Sequence, residues 1–177
     1  GPEDRALAER CLVGFNSGPP MMPSGYNNNM QLFQTADHVV ILNEMVHDVR
    51  SVPLDDRPHL SGIQQWMGDA RGRWEGDTLV VESNNFTEKT SSFDPAATFG
   101  LGTGEALHLT ERFTRLDEDT LLYEYTVDDP STFARPFTVA LPMQKLDQPV
   151  FEYACHEGNY GLLNILRGAR VDEARQP

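Results

Sequence analysis

Cysteine is almost missing from this chain of 177 residues: there are two, Cys11 and Cys155, near opposite ends, and no Cys-x-x-Cys pair. Paired, they would close a loop long enough to stabilise the fold by roughly 5 kcal/mol in the chain-entropy model. Unpaired, they would be two buried thiols of a cytosolic protein. Pairing is the expectation adopted here; it argues for export and removes Cys155 as a nucleophile. Long apolar runs are also missing, and none approaches the roughly 20 residues that a membrane-spanning helix needs. The chain is therefore expected to be soluble. Cations are scarce: Lys and Arg number 14 against 27 Asp and Glu, a formal charge of −13. That balance argues against nucleic acid or an anionic bilayer as a partner.

Several catalytic signatures are missing as well. No Gly-x-Ser-x-Gly, Walker or dinucleotide fingerprint occurs, and the five histidines (His38, His47, His59, His108, His156) form neither His-x-His nor His-Glu-x-x-His. No metal and no cofactor is expected from that scatter. Asn85-Phe86-Thr87 matches a glycosylation sequon, which matters only in a eukaryotic secretory pathway.

What the chain does have is a repeat. Arg73-Trp74-Glu75-Gly76-Asp77-Thr78-Leu79-Val80-Val81-Glu82 returns at an offset of 42 as Arg115-Leu116-Asp117-Glu118-Asp119-Thr120-Leu121-Leu122-Tyr123-Glu124. A turn between apolar and β-branched residues reads as a hairpin in each copy. Lys145 to Glu152 reads as a third, shortened copy. Three hairpins in series predict an antiparallel meander.

Around this frame, Gly1-Pro2 looks like the scar of a cleaved expression tag, with any export signal removed ahead of it. Residues 3–29 are expected to form a short amphipathic helix over residues 3 to 13, then a loop rich in Pro, Asn and Met. Residues 30–177 are expected to form one domain. Its strands are predicted at Met30 to Thr35, His38 to Arg50, Leu107 to Leu116, Thr120 to Val127, Thr138 to Lys145 and Val150 to His156, with a C-terminal helix from Tyr160 to Ala174 packed across them. Residues 51–72 read as a long connection, and the Ser-, Thr-, Gly- and Ala-rich residues 87–107 as a mobile loop. A mainly β meander of this size must close or be covered, which predicts a lipocalin-like barrel or strongly curved sheet with room for one ligand.

Four blocks carry a family resemblance: Gly72-Arg73-Trp74-Glu75-Gly76-Asp77-Thr78-Leu79-Val80-Val81-Glu82, Asp56-Arg57-Pro58-His59, Thr110-Glu111-Arg112-Phe113, and Asp128-Asp129-Pro130 followed by Arg135-Pro136. Over roughly residues 30 to 157 the chain resembles an uncharacterised family of secreted or periplasmic bacterial proteins. Tyr153-Ala154-Cys155-His156-Glu157-Gly158-Asn159-Tyr160 looks like the closing motif of one branch. The resemblance implies export and a β-rich fold, and no activity.

His47-Asp48, flanked by Glu44 and Arg50 at the polar end of a predicted strand, is the first candidate site, since a His oriented by a carboxylate can transfer protons near neutral pH. Consecutive strand residues point to opposite faces, so a charged sheet rim is the competing reading. His156 and Tyr153, where the last predicted strand ends, are the second; a structural hydrogen-bonded His competes there. Tyr26, Trp66, Asn28 and Arg50 are the candidate ligand contacts. Three functions follow: a cofactor-independent acid–base enzyme of lyase, isomerase or dehydratase type acting on a small aromatic or hydroxylated molecule; a non-catalytic extracytoplasmic small-ligand binder; or a structural or partner-binding domain. Homodimerisation is left open. Cavity polarity separates the first two, because convergent ionisable groups favour catalysis and an apolar lining favours carriage.

Overall fold

Alternating apolar residues build eight antiparallel strands among residues 1–88 and 104–175, which are those the computed structural model describes. Most of the segment 87–107 read above as a mobile loop lies outside them. The strands β1 (Met30–Gln34), β2 (His38–Asn43) and β3 (Val49–Pro53) make a three-stranded sheet. A second sheet holds β4 (Asp69–Glu75), β5 (Thr78–Asn84), β6 (His108–Arg115), β7 (Thr120–Asp128) and β8 (Phe137–Gln144), each paired with the next. The inward faces share one core: Val39, Ile41 and Val52 of the first sheet pack with Leu79, Val81, Leu109, Phe113, Tyr123 and Val127 of the second. Where β3 and the chain after it cross β4, Gly72 is required. A Cβ there would lie 2.8 Å from Leu54 Cδ2 and 2.8 Å from Val52 Cγ1.

The repeat is real, but its two copies are not superposable. Both form hairpins, β4 with β5 and β6 with β7. Glu75 pairs with Thr78 around Gly76-Asp77, whereas Arg115 pairs with Leu121 around a loop closed by the Leu116 N–H to Thr120 carbonyl bond. The second loop is one residue longer. A one-residue change in spacing flips the side chains of one strand to the other face. As a result Leu79 and Leu121 both face inward, while the letters matching across β4 and β6 do not share a face. That flip puts Glu111, between inward Leu109 and Phe113, into the core.

Several sequence expectations are corrected. No pairing between β1 and β8 closes the two sheets into a barrel among the described residues. The single strand expected from His38 to Arg50 is instead a hairpin, reversed by a 3-10 turn at Met45–His47 where Val46 (φ 59°) and His47 (φ 56°) are left-handed. Two buried carboxylates hold this unfavourable backbone. Glu44 accepts from Asn29 Nδ2 at 2.6 Å, and Asp48 accepts from Gly14 N–H at 2.7 Å and from the Ser17 hydroxyl. Alternation alone gives no sign of such an anchor, because it comes from the N-terminal segment. Residues 145–159 are irregular, so neither the third hairpin nor the strand at Val150 to His156 forms. Pro149 and the turn at 155–158 break that stretch. The N-terminal helix reduces to Pro2–Asp4 and a series of turns, ended by the left-handed Cys11.

The C-terminal helix α1 (Tyr160–Glu173) is present, with Asn159 Oδ1 capping the Leu162 N–H. It does not pack across a sheet: none of its residues is buried. A disulfide joins Cys11 to Cys155 and so ties the N-terminal turns to the chain just before α1. The Asn159 amide, donating to the Glu9 carbonyl at 2.8 Å, reinforces the tie.

Candidate functional site

A cavity of about 830 Å³ opens where the two sheets fail to meet. Four consecutive residues of β8, Leu141 to Gln144, line it, and so do Met30, Gln31 and Leu32 of β1. Consecutive strand residues point to opposite faces, so strand edges rather than one sheet face form these walls. The N-terminal segment supplies a third wall through Met21, Met22, Asn16 and Asn28. The β6–β7 hairpin tip and residues 145, 146 and 148–151 complete the rim.

The lining is of two kinds. Met21, Met30, Leu32, Leu121, Leu141 and Met143 give an apolar, deformable surface, since methionine adapts to irregular shapes. Asn16, Asn28, Asn29 and Asn43 interleave amides that both donate and accept. Ionisable residues of the lining are confined to one lip, Arg115, Asp117, Glu118, Asp119 and Lys145. Asn16 is the organiser of the N-terminal wall: its amide nitrogen donates to the Asn27 carbonyl at 2.8 Å and the Tyr26 carbonyl at 3.1 Å.

Beneath this wall lies a buried polar network. The Arg50 guanidinium meets Glu111 in two hydrogen bonds, 2.5 and 2.9 Å, and the Tyr123 hydroxyl donates to Glu111 at 2.7 Å while accepting from the Met21 N–H at 3.0 Å. All three side chains are buried. Burial, then the neighbouring Glu111 charge, pushes the Tyr123 hydroxyl well above the usual tyrosine range. The network therefore fastens Met21 to the core and so shapes the cavity wall.

The sequence-derived candidates divide as follows. Asn28 lines the cavity. Arg50 does not; its charge is committed to Glu111. Glu44 and Asp48 are buried anchors of the β2–β3 turn, and Asp48 is raised above the ordinary carboxyl range by burial, which outweighs its bonds to Gly14 and Ser17 and the Arg50 charge. His47 at the tip of that turn has a side chain 45% exposed, 4.0 Å from Glu152, and His156 is also exposed; neither lines the cavity. Tyr26 and Tyr153 are brought together, with rings 6.4 Å apart, outside the cavity lining, and Trp66, in the 54–68 connection, does not line it either. Among the described residues no group of three or more His, Cys, Asp or Glu could hold a metal ion. Leu32, Leu141 and Met143 carry no chemical signal in the sequence. Glu111 does, as a charge at an inward position of an alternating Leu-x-Glu-x-Phe strand.

The raised Asp48 carboxyl predicts a pH effect. Its folded-state pKa lies above the unfolded one, so the native state holds the proton more tightly, and the cost of burying the charge appears as pH rises through the folded value. Asp48→Asn keeps an acceptor for the Gly14 N–H and removes that charge. Its melting midpoint is expected to exceed that of the parent at neutral pH, with the advantage vanishing below roughly pH 3.8, where the unfolded chain also protonates. Circular-dichroism melts across pH check this; an advantage independent of pH would contradict it.

No family model, no curated protein and no solved structure matches this chain.

Proposed function

We propose that this chain binds a ligand whose body is apolar and uncharged in the cavity between β1 and β8, acting as a binder rather than a catalyst. The observation that carries this reading is the lining: methionine, leucine and amide groups form the walls, and ionised groups stand only at one lip. An ionised ligand would lose its hydration against such walls without a charged partner, whereas an apolar one would gain about 25 cal/mol for each Å² removed from water. The acid–base enzyme expected from the histidines has less support, because His47 and His156 face solvent outside this space. The two open sheets then serve as an incompletely closed vessel of lipocalin-like kind. Export fits the same reading, through the Cys11–Cys155 bridge and the resemblance to secreted or periplasmic proteins. Among the described residues no helix is long and apolar enough to cross a membrane.

The test uses N-phenyl-1-naphthylamine, an uncharged dye that brightens in apolar sites. The parent protein is expected to saturate with dye at one site. Met143→Arg, which sets a charge into the apolar wall, is expected to weaken binding by at least about tenfold, while His47→Ala/His156→Ala stays within about twofold. Loss of dye binding in the histidine variant, with Met143→Arg unaffected, would sink the assignment.

A further inference from the structure

The cavity wall has a feature that a pocket for a compact molecule does not need: it is bordered by two strand edges that have no neighbour strand among the described residues. Hydrogen-bond alternation identifies which backbone groups of β1 face the gap. Glu44 N–H donates to the Asn29 carbonyl and Thr35 N–H to the His38 carbonyl. Since directly opposed residues in an antiparallel pair alternate between bonded and unbonded, the bonded positions of β1 are 29, 31, 33 and 35. Met30, Leu32 and Gln34 therefore turn their N–H and C=O groups away from β2, and the first two line the cavity. The facing edge differs. Pro142 of β8 pairs opposite Leu122, and having no N–H it is accommodated because its nitrogen looks outward, which leaves that edge short of a donor. One edge is ready to pair and the other is blunted.

From this geometry we infer that the occupant of the cavity is an extended peptide segment, added as a strand to the free edge of β1, with alternate apolar side chains against Met21, Leu141 and Met143 and a cationic end at the β6–β7 tip. Strand addition satisfies the outward backbone groups of β1 and takes side-chain specificity from pockets two residues apart. The Asn28 amide is bonded to Ser24 and the Asn43 amide nitrogen to the Ser17 carbonyl, so recognition of the peptide backbone falls to the β1 edge itself. Charge selects the end: Asp117, Glu118 and Asp119 stand at the tip, and Arg115 is turned to the carbonyls of Asp117 and Glu118 instead of their carboxylates. Lys145, 3.8 Å from Asp119, and the charge of Arg115 near Asp117 offset them in part. A peptide amine or lysine there gains three carboxylate neighbours on a chain of charge −13.

This inference rests on the cavity being a binding site, and its test separates the two claims. The probe is the peptide Lys-Leu-Thr-Leu-Thr-Leu amide, with two isomers N-methylated on one or the other set of alternate residues, each titrated against protein preloaded with N-phenyl-1-naphthylamine. The parent peptide is expected to displace the dye. One methylated isomer, having lost the donors that face β1, should displace it at least about tenfold less well, and the other within about threefold of the parent. Loss in both isomers also supports strand addition, with both edges engaged. Dye that binds but is not displaced by the parent peptide overturns the peptide inference and leaves the cavity reading intact, as does equal displacement by all three peptides if the backbone plays no part. Dye that does not bind at all overturns both.

Discussion

Glu111→Ala is expected to destabilise the fold by about 3–5 kcal/mol, the usual consequence of stranding a buried charge. The guanidinium of Arg50 would remain in the core with its bidentate partner gone, and the Tyr123 hydroxyl would lose its acceptor. The pair itself is not expected to be worth that much, because taking two charges out of water costs nearly as much as their attraction returns. Arg50→Met/Glu111→Leu should therefore recover most of the loss. Urea unfolding of Arg50→Met, Glu111→Leu and the double variant measures the coupling, and a double variant as unstable as Glu111→Leu alone would contradict the account. Because Tyr123 also receives the Met21 N–H, the single variants should in addition loosen the cavity wall and weaken dye binding.

Cys11→Ser/Cys155→Ser is expected to lose about 5 kcal/mol, since the bridge closes a loop spanning a sequence separation of 144 and the chain-entropy model scales with loop length. For a domain whose total stability is about 5–15 kcal/mol that is a large share. Residues 14–29 and 145–151, which wall the cavity, both lead into this cross-link, so its loss should reach the site as well as the stability. Guanidinium unfolding with and without reductant reads the effect: a lower midpoint in the reduced parent, matching the double variant, is the expected result. An unchanged midpoint would mean that the segments are held by their hydrogen bonds alone, such as Asn159 to Glu9.

The legibility of the site in the sequence follows from the range of the interactions that make it. The hairpins at Gly76-Asp77 and at Asp117 to Asp119 were readable because turn chemistry and alternation act over a few residues. The His47 turn is not legible in this way, although its residues carry chemistry. Glu44 and Asp48 looked like the charged end of a strand, and what bends the chain there is Asn29, Gly14 and Ser17 arriving from elsewhere. Imidazoles are conspicuous in a sequence because they carry chemistry; the cavity is walled instead by leucine, methionine and asparagine, whose roles depend on where strand edges fall.

Composition and local pattern by themselves determined a mainly β chain with a meander of hairpins, an acidic surface, a C-terminal helix and one available cysteine pair. Tertiary structure decided that the sheets stay apart at β1 and β8, that Glu111 turns inward to meet Arg50, and that the helix stands free of the sheets. The reason is one of distance. Periodicity and turns report forces between near neighbours, while sheet closure and buried charge pairing are settled by contacts between segments that the sequence keeps far apart.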